Sequence, residues 1–301
     1  MPMHAGTIAI NGLLALLLAP FVDGVTRRVR AIIHSRKGPP LTQTYIDLLK
    51  LLGKEDLRCT TSAIFRFAPA VALAAFLVVA LLTPMGASPA AGFSGDMIVW
   101  IYFLTLGAAA IILMASASGN PFSKAGGARE IMLLLSVEPV VVASLITAAV
   151  KSKSLLISDM SAHSLEAGPS VSMAVAGIAL LLALQATLGR LPFDIAEAES
   201  EIVEGPLMEQ SGPNLAILRM GLLIRQLVYS FLFVQIFIPW PALSPWPLMV
   251  LSAVVKVVIL FVLAAVVEAV SPRLRIDQAM IFMSRVLFVA LAALAFAAIG
   301  V

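Results

Sequence analysis

The sequence predicts an all-α, polytopic integral membrane protein with about eight transmembrane helices. Apolar residues make up 60% of the 301 residues, charged residues only 12%, and the mean hydropathy is +1.02, whereas roughly 25% of residues are charged in an ordinary soluble domain. Eight apolar runs approach the roughly 20 residues that a helix needs to cross a hydrocarbon core of about 30 Å. The runs are continuously apolar, without the alternation of barrel strands, so helices are predicted.

The eight predicted crossings account for over half of the chain. They lie approximately at residues 7–25, 67–83, 97–116, 131–150, 171–188, 215–238, 248–267 and 280–299. Two longer linkers, at about 27–66 and 190–213, are predicted to be cytoplasmic. Because the other linkers are short and no internal repeat is present, we predict a single membrane domain over residues 1–301.

The basic residues of the linkers predict the orientation. Fourteen lie on one predicted side, namely Arg27, Arg28, Arg30, Arg36, Lys37, Lys50, Lys54, Arg58, Arg66, Lys124, Arg129, Arg190, Arg273 and Arg275. The other side carries only Lys151 and Lys153. By the positive-inside rule we expect a multi-pass protein of the inner (cytoplasmic) membrane, with a retained first helix and both termini on the non-cytoplasmic side. The net charge of +3 reflects this orientation, and no nucleic acid partner is expected.

The cysteine and histidine content limits the cofactors that this chain can hold. Cys59 is the only cysteine, so we expect neither a disulfide nor an iron–sulfur cluster bound by this chain alone. His4, His34 and His163 lie outside the predicted crossings, so a pair of axial ligands for an intramembrane haem is missing. Phosphate-binding, nucleophile-elbow and zinc-helix motifs are also absent from the sequence. We therefore expect no cofactor and no metal in this chain.

A short amphipathic helix is predicted after the first crossing. Leu41, Tyr45, Leu48, Leu49 and Leu52 recur at spacings of three and four, which places one apolar stripe along a helix over residues 41–52. Such a helix lies in the cytoplasmic membrane interface. It is either a membrane-surface anchor or a docking site for a soluble partner.

An acidic linker follows the fifth crossing. Six carboxylates occur between Asp194 and Glu209 with no basic residue among them. A helix capped by Asp194 would form a capping box with Glu197, and it would bring Glu201 and Glu204 into the same stripe. Carboxylates so close repel one another, which raises some of their pKa values and lets a pair share a proton. The linker is therefore either a proton-accepting cluster at the membrane face or a solvated acidic surface helix, depending on its burial.

Several charged residues fall within the predicted crossings. They are Glu138, with Glu130 at the start of the same crossing, and Arg219, Arg225, Lys256, Glu268 and Arg285. Each costs at least a few kcal/mol if it faces lipid, so these side chains are expected to face the bundle interior or a water-filled cavity. We predict that Glu130 and Glu138, about 80° apart around one helix, belong to one proton path. A buried charge network is predicted for Arg225, Lys256, Glu268 and Arg285, with structural ion pairs or snorkelling ends as the alternative.

Three motifs stand out along the chain, namely Arg36-Lys37-Gly38-Pro39 ahead of the amphipathic helix, Ala128-Arg129-Glu130 leading to Val137-Glu138, and Pro192-Phe193-Asp194 continuing through Ala196-Glu197-Ala198-Glu199-Ser200-Glu201. With them the chain resembles the H-type membrane subunits of respiratory complex I and their relatives in membrane-bound nickel–iron hydrogenases. The resemblance spans nearly the whole chain. It implies a proton path through Glu130, Glu138, Asp194, Glu197, Glu199, Glu201 and Glu204, and partner docking at Arg36, Lys37, Gly38 and Pro39.

The residues near the end of the acidic linker distinguish two branches of this family. Complex I subunits typically continue with a Gly-Tyr/Phe-Asn-Val-Glu-Tyr pattern that helps to build the quinone chamber, whereas this chain reads Glu204-Gly205-Pro206-Leu207. This form is similar to energy-converting (Ech-type) and formate-hydrogenlyase-type (group 4) hydrogenases. It implies a non-catalytic subunit that anchors a hydrogenase to the membrane. Electrons from ferredoxin, formate or carbon monoxide would drive hydrogen evolution in that hydrogenase, and the subunit would couple this reaction to proton or sodium translocation.

The same resemblance implies the partners. They are the hydrogenase large and small subunits, an iron–sulfur protein and an antiporter-like membrane subunit, with the nickel–iron centre and the iron–sulfur clusters in those chains. Two alternatives remain open at this point. One is the quinone-site subunit of a complex I-like NADH or ferredoxin:quinone oxidoreductase, and the other is a stand-alone secondary transporter with a midplane site.

Overall fold

The computed structural model describes residues 2–85, 96–241 and 246–300, without the side chains of residues 2–10, Glu199 and Trp246. The helices in this part of the chain are α1 (Pro2–Ile33), α2 (Gln43–Leu52), α3 (Ala63–Leu82), α4 (Met97–Ala117), α5 (Pro121–Ser152), α6 (Ile157–Ala167), α7 (Val171–Thr187), α8 (Glu199–Ile202), α9 (Gly212–Phe237), α10 (Trp246–Val270) and α11 (Ile276–Ile299). A 3-10 turn spans Gly205–Leu207. Within these residues no strand occurs, and the all-α prediction is confirmed.

Each of the eight predicted crossings coincides with a helix. Six helices, α3, α4, α5, α9, α10 and α11, are long and apolar enough to cross a membrane. The apolar helix α7 is shorter, with 17 residues, and α1, which contains the first predicted crossing, has 32 residues. The polytopic membrane fold is therefore confirmed.

The helix α5 begins ten residues before the predicted crossing. The side chain of Asn120 accepts a hydrogen bond from the backbone N–H of Phe122, and Pro121 occupies the first turn, where a proline fits and its missing N–H costs nothing. Glu130 consequently lies well inside α5 and not at its start.

Four linkers meet at one end of the bundle, here called the acidic end. It comprises residues 34–62, 118–120, 188–211 and 271–275. The backbone N–H of Leu57 donates to Ser211 Oγ at 2.9 Å, and the N–H of Leu274 donates to the carbonyl oxygen of Pro192 at 3.0 Å. These contacts place the acidic linker at the centre of this end.

The predicted amphipathic helix is present as α2, which packs against α1 and α9. Leu48 and Leu51 face inward and line a cavity, whereas Leu49 and Leu52 are 67% and 52% exposed. The chain returns towards α1 before this helix because Gly24 has no side chain; a Cβ atom there would lie 2.2 Å from the carbonyl oxygen of Leu41.

The opposite end of the bundle contains one helix that the sequence did not predict. The helix α6 buries Ile157, Met160 and Ser164 on one face, and Ser161 Oγ donates to the carbonyl oxygen of Gln235 at 3.1 Å. Its 11 residues are too polar and too few for a crossing, and its buried positions are spaced by three and four as in a surface helix.

Candidate functional site

A polar cavity of about 420 Å³ lies at the acidic end, between α1, α2, α9 and residues 188–207. Eleven of its twenty lining residues are charged, namely Asp23, Arg27, Arg30, Asp47, Arg190, Asp194, Glu197, Glu204, Arg219, Arg225 and Glu268. Six carboxylates and five guanidinium groups thus face one space. Charges withdrawn from bulk water require partners, and the ion pairs in this cavity supply them for most of these side chains.

Arg190 joins two carboxylates that come from different helices. Its Nη2 lies 3.2 Å from Asp23 Oδ1 and its Nη1 lies 3.2 Å from Glu268 Oε2. Each carboxylate has a second cation, because Arg27 lies 3.0 Å from Asp23 and Arg30 lies 2.5 Å from Glu268. Arg190 is only 7% exposed. The first turn of the acidic linker is therefore held against α1 and α10.

The acidic linker does not form the helix with Asp194 as its N-cap. Residues 190–198 form turns, and α8 begins only at Glu199 and has four residues. Buried side chains hold this stretch in place, namely those of Phe193, Ile195, Ala196 and Ala198. The linker also approaches α5 closely, since a Cβ atom on Gly126 would lie 2.9 Å from Gly205 Cα. The prediction of a helix capped by Asp194 and the alternative of a solvated surface helix are therefore both wrong.

Three carboxylates of the linker meet arginines from other parts of the chain. They are Asp194 with Arg273 at 2.9 Å, Glu201 with Arg129 at 2.6 Å and Glu204 with Arg219 at 3.6 Å. The hydrogen bond from Arg129 lowers the pKa of Glu201. At these three positions, arginines distant in sequence neutralise the carboxylates. The mutual repulsion that the sequence predicted is therefore relieved there.

Glu197 differs from these three carboxylates. It lines the cavity and forms no ion pair with any described residue. Burial, followed by the nearby carboxylate of Glu130, raises the pKa of Glu197 to about 7, against the attraction of Arg225. A carboxyl group with this pKa exchanges its proton near neutral pH, which is the behaviour that the sequence predicted for some member of the linker.

A buried ion pair lies beneath Glu197. Arg225 of α9 contacts Glu130 of α5 at 3.1 Å, with side chains 12% and 15% exposed. Arg225 lines the polar cavity and also a second cavity of about 40 Å³, whose other polar lining groups include Glu130, Glu138 and Tyr229. This volume exceeds the roughly 10–15 Å³ that one water molecule requires. Arg225 thus lies between the large polar cavity and a small cavity inside the bundle.

Glu138 lies at the far side of this small space. It accepts a hydrogen bond of 2.8 Å from Thr105 Oγ1 and borders a further cavity of about 10 Å³ together with Trp100 and Tyr229. Glu197, Arg225, Glu130 and Glu138 therefore form a row from the acidic end into the bundle. The structure brings together three of the carboxylates that the sequence singled out and adds the arginine between them.

The predicted network of four buried charges does not form. Arg225 and Glu268 both line the polar cavity, but Lys256 donates to the carbonyl oxygens of Ile238, Pro239 and Pro241, at 3.1, 2.7 and 3.3 Å, at the opposite end. These carbonyls are free because α9 ends there. Arg285 is exposed on the outside of α11, since this helix presents one face to the interior and one to the surroundings.

The motif Arg36-Lys37-Gly38-Pro39 forms a turn at the acidic end. The backbone N–H of Arg36 donates to the carbonyl oxygen of Ala31 at 2.8 Å, and Gly38 packs so closely on α1 that a Cβ atom would lie 3.2 Å from Arg28 Cα. The side chains of Arg36 and Lys37 remain exposed. They are accessible for docking, which stays a prediction. The side chain of Glu199 lies outside the described residues.

In residues 2–85, 96–241 and 246–300, no group of three or more His, Cys, Asp or Glu side chains is arranged to hold a metal ion. Cys59 is exposed, and partial burial of its thiol, followed by the nearby carboxylate of Glu209, raises its pKa.

Comparison with known proteins gives the family. The family model described as NADH dehydrogenase matches residues 6–299. An H-type NADH-quinone oxidoreductase subunit of Geobacter metallireducens is 30% identical over 300 residues, covering 92% of this chain and 90% of that protein. The chain belongs to the NADH dehydrogenase family of membrane subunits.

Two Escherichia coli proteins are more similar to this NADH dehydrogenase family member than the Geobacter metallireducens subunit is. Hydrogenase-4 component C is 37% identical and covers 86% of this chain and 84% of that protein, and formate hydrogenlyase subunit 4 is 34% identical, with 89% and 90% covered. The membrane-bound sulfane sulfur reductase, an archaeal respiratory membrane complex, contains a chain that superposes with a TM-score of 0.86 at 27% identity, over 96% of this chain and 99% of that one. The family resemblance that the motifs indicated is confirmed.

Sequence reasoning missed several residues of the site in this NADH dehydrogenase family member, among them Asp23, Arg190, Tyr229 and Thr105. Asp23 and Arg190 are 167 residues apart, and no local signal pairs them, although Asp23 precedes Arg27 by one helical turn. Tyr229 follows Arg225 by one turn on α9 and was therefore detectable as a polar group on the same face. Thr105 carries no charge and gave no signal.

Proposed function

We propose that this chain is the membrane-anchoring and ion-coupling subunit of a membrane-bound nickel–iron hydrogenase complex. The complex links electron transfer from ferredoxin, formate or carbon monoxide, and hydrogen evolution, to proton or sodium translocation. Its similarity to hydrogenase-4 component C and to formate hydrogenlyase subunit 4 supports this branch over the quinone-reducing branch. The nickel–iron centre and iron–sulfur clusters belong, in this proposal, to the large, small and iron–sulfur subunits.

One observation carries the coupling role, namely that Arg225 lines both the polar cavity with Glu197 and the small cavity with Glu138. Deprotonation of Glu197 adds a negative charge that competes with Glu130 for Arg225. Glu130 then holds its cation less strongly, because one guanidinium group is shared between two carboxylates. The changed field reaches Glu138 across the small cavity that both glutamates line.

A soluble module bound at the acidic end is the input of this mechanism. The acidic linker, α2 and the Arg36–Pro39 turn all lie at that end. A charge change in the module alters the proton affinity of Glu197, and the effect passes to the membrane interior as a coupling free energy between two sites. The fourteen basic residues favour a cytoplasmic position for the acidic end, with both termini across the inner membrane and an antiporter-like subunit alongside.

The test is Glu138→Gln in the purified complex, reconstituted in vesicles. Dye-linked hydrogen oxidation is expected to continue at the unmodified rate, whereas ion pumping is expected to be lost, because the amide cannot take up a proton. Glu166→Gln, at an exposed position of α6 on the opposite end, is the matched control and should pump normally. Normal pumping by the Glu138→Gln complex contradicts the proposal.

The quinone-site alternative is tested on the same preparation. The cavity has enough volume for a ring-sized ligand, but eleven charged side chains line it, whereas small-molecule sites are mostly apolar. Quinone retained through purification, or loss of activity with a quinone-site inhibitor, would favour that alternative. A stand-alone transporter, in contrast, would translocate its substrate as the isolated chain.

A further inference from the structure

The outer face of α11 carries an arginine without a partner. Arg285 is exposed and makes no hydrogen bond or ion pair with any described residue. Arg225, Arg219 and Arg273 differ in this respect, since they pair with Glu130, Glu204 and Asp194. At 1.5 Å per residue, Arg285 lies roughly 14 Å from the first residue of α11 and roughly 21 Å from the last. It therefore sits at membrane depth in a candidate span.

The residues around Arg285 form one continuous seam. Within the wider exposed face of α11, Ile281, Arg285, Phe288, Ala292, Ala295 and Ile299 lie along one strip at alternating spacings of four and three. Phe288 is 73% exposed and Ile281 is 53% exposed. A period of about 3.5 residues is that of a helix which packs lengthwise on another helix, and the two alanines allow close approach of a neighbouring backbone. The inner side of α11 is already occupied by α5 and α7.

We propose that this seam binds a transmembrane helix of another membrane subunit, and that this helix carries an aspartate or glutamate facing Arg285. A guanidinium group exposed to hydrocarbon is strongly unfavourable, so polar groups inside membranes face protein and pair with one another. A carboxylate satisfies the charge, and an apolar helix covers Phe288 and Ile281. A second copy of this chain fits poorly, because two-fold symmetry about the membrane normal would bring the two Arg285 side chains together.

This inference rests on the proposed function only in requiring a second membrane subunit. It adds the face of contact and the chemistry of the partner helix. None of the seam residues lines the polar cavity or the small cavity beside Glu138.

The experiment replaces Phe288 with the photo-crosslinker p-benzoyl-phenylalanine in the intact complex in its native membrane, followed by illumination and mass spectrometry of the adduct. The expected product is an adduct to one other membrane subunit, within two helical turns of an Asp or Glu inside a membrane span. Adding Arg285→Ala should lower the yield at least tenfold, whereas Arg285→Lys should keep most of it. Because Arg285 is exposed, neither change should alter the amount of this chain in the membrane.

Three outcomes would overturn the inference: an adduct to lipid alone, which indicates a snorkelling arginine; an adduct to a second copy of this chain; or an adduct whose yield does not respond to Arg285→Ala. Hydrogenase activity is assayed in the same membranes. An active hydrogenase with a lipid-only adduct overturns this inference and leaves the proposed function intact. Conversely, the expected adduct in a complex that contains no hydrogenase subunits supports this inference and overturns the proposed function.

Discussion

Arg225 of α9 holds Glu130 of α5 at 3.1 Å, and the same guanidinium group faces the cavity that contains Glu197. One cation is thereby placed between a carboxylate inside the bundle and a carboxylate at its acidic end. In the proposed mechanism this cation is shared between the two carboxylates, and its position depends on whether Glu197 is ionised. That is the minimum requirement for passing a charge change from one side of a protein to another.

Removal of Arg225 is expected to be strongly destabilising. Arg225→Met leaves Glu130 at a position where its side chain is 15% exposed and has no other cation partner among the described residues. Breaking a buried pair in this way costs about 3–5 kcal/mol in free energy of unfolding, because one charge remains uncompensated. Thermal denaturation of the complex in detergent should show the loss as a lower midpoint.

The double variant Arg225→Met with Glu130→Gln is the control for this prediction. It removes both charges, so most of the lost stability should return, while proton coupling remains impaired. An equally low midpoint in the double variant would mean that Arg225 stabilises the bundle through packing and not through its charge.

Arg190 is expected to be less critical for stability than Arg225, although it makes more contacts. After Arg190→Met, Asp23 still has Arg27 at 3.0 Å and Glu268 still has Arg30 at 2.5 Å. Neither carboxylate is left without a cation, so the cost should fall to about 1–3 kcal/mol, the range for a lost charge-assisted hydrogen bond. The two variants should be compared in one denaturation series. A larger loss for Arg190→Met than for Arg225→Met would contradict the redundancy seen here.

Glu197 should titrate near neutral pH. Its pKa of about 7 lies above the ordinary value of 4.5 because the group is buried among other carboxylates. The folded chain therefore binds a proton that the unfolded chain releases. The stability that Glu197 contributes is complete below pH 4.5 and is lost as the pH rises through about 7. Infrared difference spectra should show a protonated-carboxyl band that disappears with a midpoint near pH 7 and is absent in Glu197→Gln.

Glu201→Gln is the matched control for this titration. Glu201 belongs to the same linker, but Arg129 lowers its pKa, so its removal should leave the band near pH 7 unchanged. If the band follows Glu201 and not Glu197, the assignment of the neutral carboxyl group is incorrect.

The parts that the sequence predicted well are those governed by local pattern. The crossings follow from hydropathy, α2 follows from the spacing of its leucines, and Glu130 and Glu138 share a cavity because eight residues on one helix fix their relative direction. The acidic linker was mispredicted because its conformation depends on tertiary contacts. Arg129, Arg219 and Arg273 neutralise it from three other segments, and no spacing in the sequence reveals them. The outward direction of Arg285 likewise depends on how α11 packs, which the helix's own sequence does not determine.

The last prediction concerns the close approach of two parts of the acidic linker, at Gly205 and Ala196, beside α5. Gly205 has a φ of +48°, and a Cβ atom there would lie 2.2 Å from the carbonyl oxygen of Ala196. Gly205→Ala therefore adds a backbone clash to the strain of a left-handed residue, and the linker must move. Gly119 also has a positive φ, of +80°, but a Cβ atom there would meet nothing within 4 Å, so Gly119→Ala introduces only the conformational strain of about 1 kcal/mol.

The two alanine variants should therefore differ in a specific way. Gly205→Ala is expected to lower the free energy of unfolding by at least about 1 kcal/mol more than Gly119→Ala, and to make residues 196–205 sensitive to proteolysis in the folded complex. Because Glu197 is carried by the displaced segment, its titration near pH 7 should also shift towards the ordinary carboxyl range as water reaches it. Equal effects of the two substitutions, with an unchanged titration, would show that the close packing of Gly205 on Ala196 does not keep Glu197 buried.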